Sequence, residues 1–171
     1  PQAQPVVQAA FAPTSTAIPL PTQNNAAAAA IPAAPTPIPT PTPNPYTEEY
    51  ERVARSIQVE WDSLYSVNPD LRAWIQIDAA QIDQPILASP DNEYYLKVAF
   101  DGSYHEMGSI YFDFRNHTDF RDPNIIIYGH NFDNGRMFSN LVWFRQQAFV
   151  DANPSYYILT PRVIYRVDIA S

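Results

Sequence analysis

One histidine stands where the chain could do chemistry. His130 follows Asn124-Ile125-Ile126-Ile127-Tyr128-Gly129 and precedes the loop Asn131-Phe132-Asp133-Asn134-Gly135. Consecutive β-branched isoleucines between a Pro-Asn start and a Gly stop read as a buried central strand, too short for a globular helix. The loop beyond is full of turn formers. An imidazole at the tip of a core strand can hold and release a proton from a carrier that barely moves. A polar residue that merely closes the strand fits the same pattern, so both readings stand. His105 and His117 sit in polar stretches and read as solvated side chains. Asp113, Asp119, Asp122 and Asp133 flank the histidine strand, but their spacing matches no calcium loop. Pairing with Arg115, Arg121 and Arg136 is the simpler reading.

Composition divides the chain. Residues 1–47 carry no charged side chain and 12 of the 18 prolines; all 28 charged groups follow them. The expected organisation is therefore a Pro/Ala/Thr-rich linker or stalk over residues 1–46 and one globular domain over residues 47–171. The stretch Pro35-Thr36-Pro37-Ile38-Pro39-Thr40-Pro41 favours polyproline II and cannot build a core. The net charge of −8 argues against nucleic acid as a partner, because phosphate binding needs a basic face. There is no cysteine, which excludes disulfides, zinc-thiolate sites and a thiol nucleophile from these residues. No P-loop, GxGxxG, EF-hand loop or HExxH occurs, so no cofactor and no metal is expected. No apolar run reaches the length that spans a bilayer. The chain begins with Pro1, and a membrane anchor upstream of it is expected.

The elements that must position His130 follow in order. Thr47 reads as a helix N-cap with Glu48 and Glu49 in the first turn. Tyr50, Val53, Ile57, Trp61, Leu64 and Tyr65 then recur at helical spacing to about Val67, one amphipathic helix docked on the domain. Asn68-Pro69-Asp70 breaks it. Residues 73–78 and 82–87 read as strands, Pro85 pushing the second towards an edge or bulge. Ser89-Pro90-Asp91 starts a short helix that carries Asn92 and Leu96. Residues 108–114 alternate, with Ile110, Phe112 and Phe114 on one side and Tyr111 and Asp113 on the other. After the His130 loop come helical pieces around Met137 to Phe149, then strands at 156–160 and 163–169. About six strands with short connections favour a mixed, largely β barrel-like fold over a βαβ sheet.

These residues resemble a known family. Asn68-Pro69-Asp70-Leu71 with Trp74-Ile75, Ile82-Asp83 with Pro85-Ile86, and Asp91-Asn92 with Tyr95-Leu96 are similar to the start of a class B sortase. Gly108-Ser109-Ile110-Tyr111-Phe112-Asp113, Tyr128-Gly129-His130-Asn131, Met137-Phe138 with Leu141, and Tyr165 continue the resemblance to the end of the chain. It implies a sortase β-barrel, incomplete here, with an N-terminal helix docked on it. It also implies cysteine transpeptidation at the extracellular face of the cell membrane or in the cell wall. A cysteine would cleave a sorting-signal peptide (NPQTN-like) after Thr, and an amine from peptidoglycan or a pilin would resolve the thioacyl enzyme. A thiolate is the better nucleophile, an imidazole can protonate the leaving amine, and an arginine offers donors where negative charge develops. By position the family's catalytic histidine falls on His130. The short helix that lines its substrate groove falls on Asn92 and Leu96, where helix support and core packing are the competing roles.

The resemblance departs at its end. The family's cysteine and arginine follow the histidine on the last two strands, and neither is present; Arg136, Arg145, Arg162 and Arg166 are out of context for that arginine. The expectation is a C-terminally truncated chain, inactive alone, with open strand edges and poor stability. A second reading is a catalytically dead sortase-like module that displays a peptide groove on a stalk. A third is an unrelated hydrolase in which His130 pairs with Asp113 or Asp133.

Overall fold

A computed structural model describes residues 46–132 and 135–170. The stalk expected over residues 1–46 therefore lies, but for Tyr46, outside the described residues. Contacts divide the described residues into two compact units, one holding residues 46–58 and the other those from residue 59 onwards. The first unit contributes helix α1 (Tyr46–Ser56), with Glu48 and Glu49 in its first turn and an Arg55–Glu51 ion pair at 2.7 Å.

In the second unit, α2 (Trp61–Val67) precedes a mixed six-stranded sheet. The strands are β1 (Leu71–Ile77), β2 (Ile82–Ala88), β3 (Ile110–Phe112), β4 (Ile127–Tyr128), β5 (Ser155–Leu159) and β6 (Ile164–Asp168), in the spatial order β4-β3-β2-β1-β5-β6. The result is a half-barrel: among the described residues β4 pairs only with β3, and β6 only with β5. All pairings are antiparallel except β2 with β3. Parallel neighbours need a long crossover, and residues 89–109 supply it. That crossover carries Asn92 and Leu96.

Hydrophobic burial explains the layers. Ala73, Ile75, Ile77, Ile82, Ile86, Ile110, Phe112, Ile125, Ile127, Phe138 and Ile158 form the main core, each large side chain contributing about 1.5–3 kcal/mol. Leu71, Leu87, Tyr95 and Tyr111 form a second cluster, against which Trp61, Leu64 and Tyr65 of α2 and Leu96 and Tyr128 pack. The register shift between Leu71 and Ala73 in β1 coincides with the change from one cluster to the other. Asn68, buried, links α2 to this layer by donating from Nδ2 to the Phe100 carbonyl at 2.9 Å and accepting the Asp70 N–H at 2.8 Å.

Several sequence expectations are corrected. The helix read from Thr47 to Val67 is two helices. Its break falls at residues 57–60, where β-branched Ile57 and Val59 weaken helix formation. Thr47 lies inside α1, which begins at Tyr46, and is not its cap. The isoleucine run is not a central strand covered on both faces: only Ile127–Tyr128 form a ladder, and β4 ends the described sheet. Ile125 and Ile127 are nonetheless buried. Phe114 does not join the core side of β3; it lies beyond the strand and is 54 % exposed. Pro85 lies in an interior strand, opposite Trp74. It is tolerated because the β3 ladder begins only at Ile86, so no β3 bond is missing at the proline. The short helix of the crossover is a 3-10 turn, Tyr94–Leu96, and Asn92 precedes it.

Candidate active site around His130

His130 follows β4 after the single residue Gly129, and is 8 % exposed. Its Nε2 lies 2.7 Å from the main-chain carbonyl of Leu96. A carbonyl oxygen only accepts, so Nε2 carries the hydrogen and donates it. Nδ1 then holds the lone pair of the neutral ring, and no described residue bonds to it. The imidazole rests against Phe132 at 5.0 Å between ring centres. This arrangement fixes the tautomer and leaves one nitrogen to exchange a proton.

The segment around His130 is held from both sides. The His130 carbonyl accepts the Phe138 N–H at 3.0 Å, and Asn131 pairs with Met137 across the loop. Gly129 makes room for Phe138: a Cβ there would lie 2.7 Å from the Phe138 ring. Buried Ser139 accepts the Phe132 N–H at 3.0 Å. Buried Asn140 donates to the Ala80 carbonyl at 2.9 Å and the Gly135 carbonyl at 3.3 Å, tying the loop to the β1–β2 turn.

Asn92 and Leu96 are brought to the same region by the crossover, with more structural work than the sequence suggested. Asn92 donates from Nδ2 to Asp113 Oδ2 at 2.9 Å and accepts the Phe114 N–H on Oδ1 at 3.1 Å. Its carbonyl accepts the Tyr111 hydroxyl at 2.8 Å. Leu96 packs its half-buried side chain against the second cluster, while its carbonyl is the atom that touches His130. The turn is set by Asp91, whose Oδ1 accepts the N–H groups of Glu93 at 2.8 Å and Tyr94 at 2.7 Å. These backbone bonds lower the Asp91 pKa.

Sequence reading placed Asp113 near the histidine strand and paired it with Arg115, but did not join it to Asn92 and Tyr128. Asp113 is 1 % exposed. Arg115 reaches its Oδ1 through Nε at 2.8 Å and its Oδ2 through Nη2 at 2.7 Å. Tyr128 donates to Oδ2 at 2.9 Å. The Arg115 bonds lead in holding the Asp113 carboxyl far below its usual range, against the opposing effect of burial. The expected Asp113–Arg115 and Asp119–Arg121 pairings are present, the latter an exposed contact at 3.4 Å. His117 is not simply solvated: its Nδ1 lies 2.8 Å from Asp122 Oδ1. Asp113 has its carboxylate bonds with Arg115, Asn92 and Tyr128, so a His130–Asp113 pair of a hydrolase has no support; Asp133 lies outside the described residues. Among the described residues, no group of three or more His, Asp or Glu side chains is placed to hold a metal ion.

The mixed half-barrel with its few helices matches the sortase B fold. Comparison with known proteins agrees. No family model matches the chain. Sortase B of Listeria monocytogenes is 37 % identical over 113 residues, 66 % of this chain and 46 % of that protein. The structure of Clostridium perfringens sortase B superposes with a TM-score of 0.63 at 32 % identity, covering 66 % of this chain and 61 % of that one. A Staphylococcus aureus sortase B–substrate complex gives a TM-score of 0.61 at 25 % identity, over 72 % of this chain and 58 % of that one. The chain thus spans about half the length of the curated relative. The chain belongs to the class B sortases.

Proposed function

We propose that this chain carries the histidine and peptide-facing part of a cysteine transpeptidase. The enzyme cleaves an NPQTN-like sorting signal after Thr and joins the product to an amine of peptidoglycan or a pilin. The observation that carries this is the His130 tautomer: Nε2–H is spent on the Leu96 carbonyl, and Nδ1 is left to protonate the leaving amine and deprotonate the incoming one. Half-buried Asn92 and Leu96 face the peptide. Asn92 keeps one amide hydrogen and one oxygen lone pair beyond those used by Asp113 and Phe114. The Staphylococcus aureus relative solved with a substrate supports a peptide ligand.

The reaction runs in two balanced halves. A thiolate adds to the Thr carbonyl, the C–N bond breaks, and the leaving nitrogen takes the proton held by the imidazole. An amine then attacks the thioester, gives its proton back to the imidazole, and the thiolate leaves. The thiol is not among these 171 residues, which contain no cysteine, and by themselves they do not transpeptidate. The domain runs from residue 47, on a Pro-rich stalk over residues 1–46 that holds it at the extracellular face of the membrane or in the wall. The support is composition and family. No helix among the described residues is long and apolar enough to cross a membrane.

Titration of the chain with an NPQTN peptide, followed by amide NMR, tests the reading. Saturable shifts at Asn92, Leu96 and His130, absent with a scrambled peptide, are expected. No shift with either peptide overturns it. Mass spectrometry of the same mixture is expected to show intact peptide, and cleavage at Thr overturns the inactivity of these residues alone.

A further inference from the structure

We propose that Asp113 is the positioning residue of the site, one carboxylate that holds both ends of the His130–Leu96 hydrogen bond. The inference rests on the sortase reading only for its peptide arm.

The geometry is specific. Tyr128 lies two residues before His130, on the segment that carries the imidazole. Asn92 lies four residues before Leu96, on the segment that carries the acceptor. Both give hydrogen bonds to the same oxygen, Asp113 Oδ2, at 2.9 Å each. Arg115 closes the other side: its N–H and Nε reach Oδ1 at 2.9 and 2.8 Å, and its Nη2 reaches Oδ2 at 2.7 Å. A carboxylate that accepts this many donors stays ionised, and as an acceptor-only group it satisfies all of them at once. The neighbouring rings add stiffness, with Tyr111 stacked against Tyr128 at 5.4 Å and against Tyr95 at 6.2 Å. Asp113 touches neither His130 nor any reacting atom, so its effect passes through the two segments it joins.

An amide at this position removes the charge and turns one oxygen into a donor, which faces Asn92, Tyr128 and Arg115 Nη2 at the Oδ2 position or the Arg115 N–H and Nε at the Oδ1 position. The β4 end and the crossover turn then lose their shared anchor, and the Leu96 carbonyl no longer selects one tautomer. Arg115 supplies the contrast. Its side chain is 66 % exposed, and besides Asp113 it interacts with the Tyr128 hydroxyl. An uncharged side chain at 115 loosens the local turn, while the bonds from Asn92 and Tyr128 to Asp113 Oδ2 remain.

Long-range ¹H–¹⁵N spectra of the imidazoles in the 171-residue chain read the tautomer directly. The native chain is expected to show His130 as the Nε2–H form alone. Asp113→Asn is expected to give both tautomers at His130, with His105 unchanged, and Tyr128→Phe a smaller change of the same kind. Arg115→Gln is expected to retain the native pattern. NPQTN affinity is expected to fall about tenfold in Asp113→Asn, the effect of one lost charge-assisted hydrogen bond. A folded Asp113→Asn with the native His130 pattern overturns the proposal. If Asp113→Asn does not fold, a native pattern in Tyr128→Phe does the same. Should the native chain bind no peptide while the tautomer still responds to Asp113→Asn, the sortase reading fails and the positioning role stands.

Discussion

Gly129→Ala tests the packing that sets the direction of His130. The added Cβ would meet Phe138 Cδ2 at 2.7 Å, Cε2 at 2.9 Å and Cγ at 3.0 Å. Carbon atoms in ordinary contact sit at about 3.5–4.0 Å, so the ring must retreat by roughly 1 Å. Phe138 is 4 % exposed and belongs to the main core, which leaves it no easy exit. Overpacking of this kind costs about 1–3 kcal/mol. Gly129 is not in the left-handed region, so alanine also gains about 0.4–1 kcal/mol by restricting the unfolded chain. The net expectation is a loss of about 1–2 kcal/mol, read from urea unfolding followed by tryptophan fluorescence. A double-mutant cycle with Phe138→Leu isolates the cause. With the ring gone, Gly129→Ala is expected to cost less than about 0.5 kcal/mol, a coupling of roughly 1 kcal/mol between the positions. A single variant as stable as the native chain, or a cycle with no coupling, refutes the reasoning.

Gly108→Ala is expected to be worse than Gly129→Ala in the same assay. Its Cβ would lie 2.1 Å from the Tyr95 carbonyl at φ +54°, and backbone cannot step aside as a ring can; equal costs would contradict this. Asn140→Ala is expected to lose about 1–3 kcal/mol, because it leaves the buried Ala80 carbonyl without its donor; a loss under about 0.5 kcal/mol would show the loop tie to be dispensable. Asp122 is held at about 2, from a usual 3.8, by the His117 backbone N–H first and then by the His117 ring and Asn116. A lowered carboxylate stabilises fully above its unfolded value and loses that contribution as pH falls through the folded one. Asp122→Asn is therefore expected to melt lower than the native chain near neutral pH, and the gap is expected to close between about pH 4 and pH 2. Parallel melting curves across that range would contradict it.

The sheet was legible because strand patterns are local. Alternation in residues 108–114 and the β-branched and aromatic runs at 73–78, 82–87, 156–160 and 163–169 marked their strands without reference to neighbours. What failed was whatever depends on pairing. The isoleucine run has the composition of a central strand, yet strand position is decided by which partners lie on each side, and β4 pairs with β3 alone among the described residues. Pro85 read as a sign of an edge or a bulge: the strand is interior, with the β3 ladder starting after the proline, but the β1–β2 register does shift beside it, between Leu71 and Ala73. Phe114 followed the alternation of its strand in sequence, but the strand stops at Phe112.

The site divides along the same line. His130 could be singled out as a candidate because one residue type at one strand end is a local signal, and Asn92 and Leu96 came from the family resemblance. Asp113 could not be weighed that way. Its partners Asn92 and Tyr128 are 21 and 15 residues away, joined only once a parallel pair forces the crossover beside β3. In sequence, the nearby Arg115 accounts for the aspartate as an ordinary ion pair. Burial changes that account: an exposed pair contributes little, whereas a carboxylate 1 % exposed must be satisfied on every side. The two residues that satisfy it are those that frame the histidine and its acceptor. A buried acid near a candidate histidine is thus best judged by which segments its donors come from.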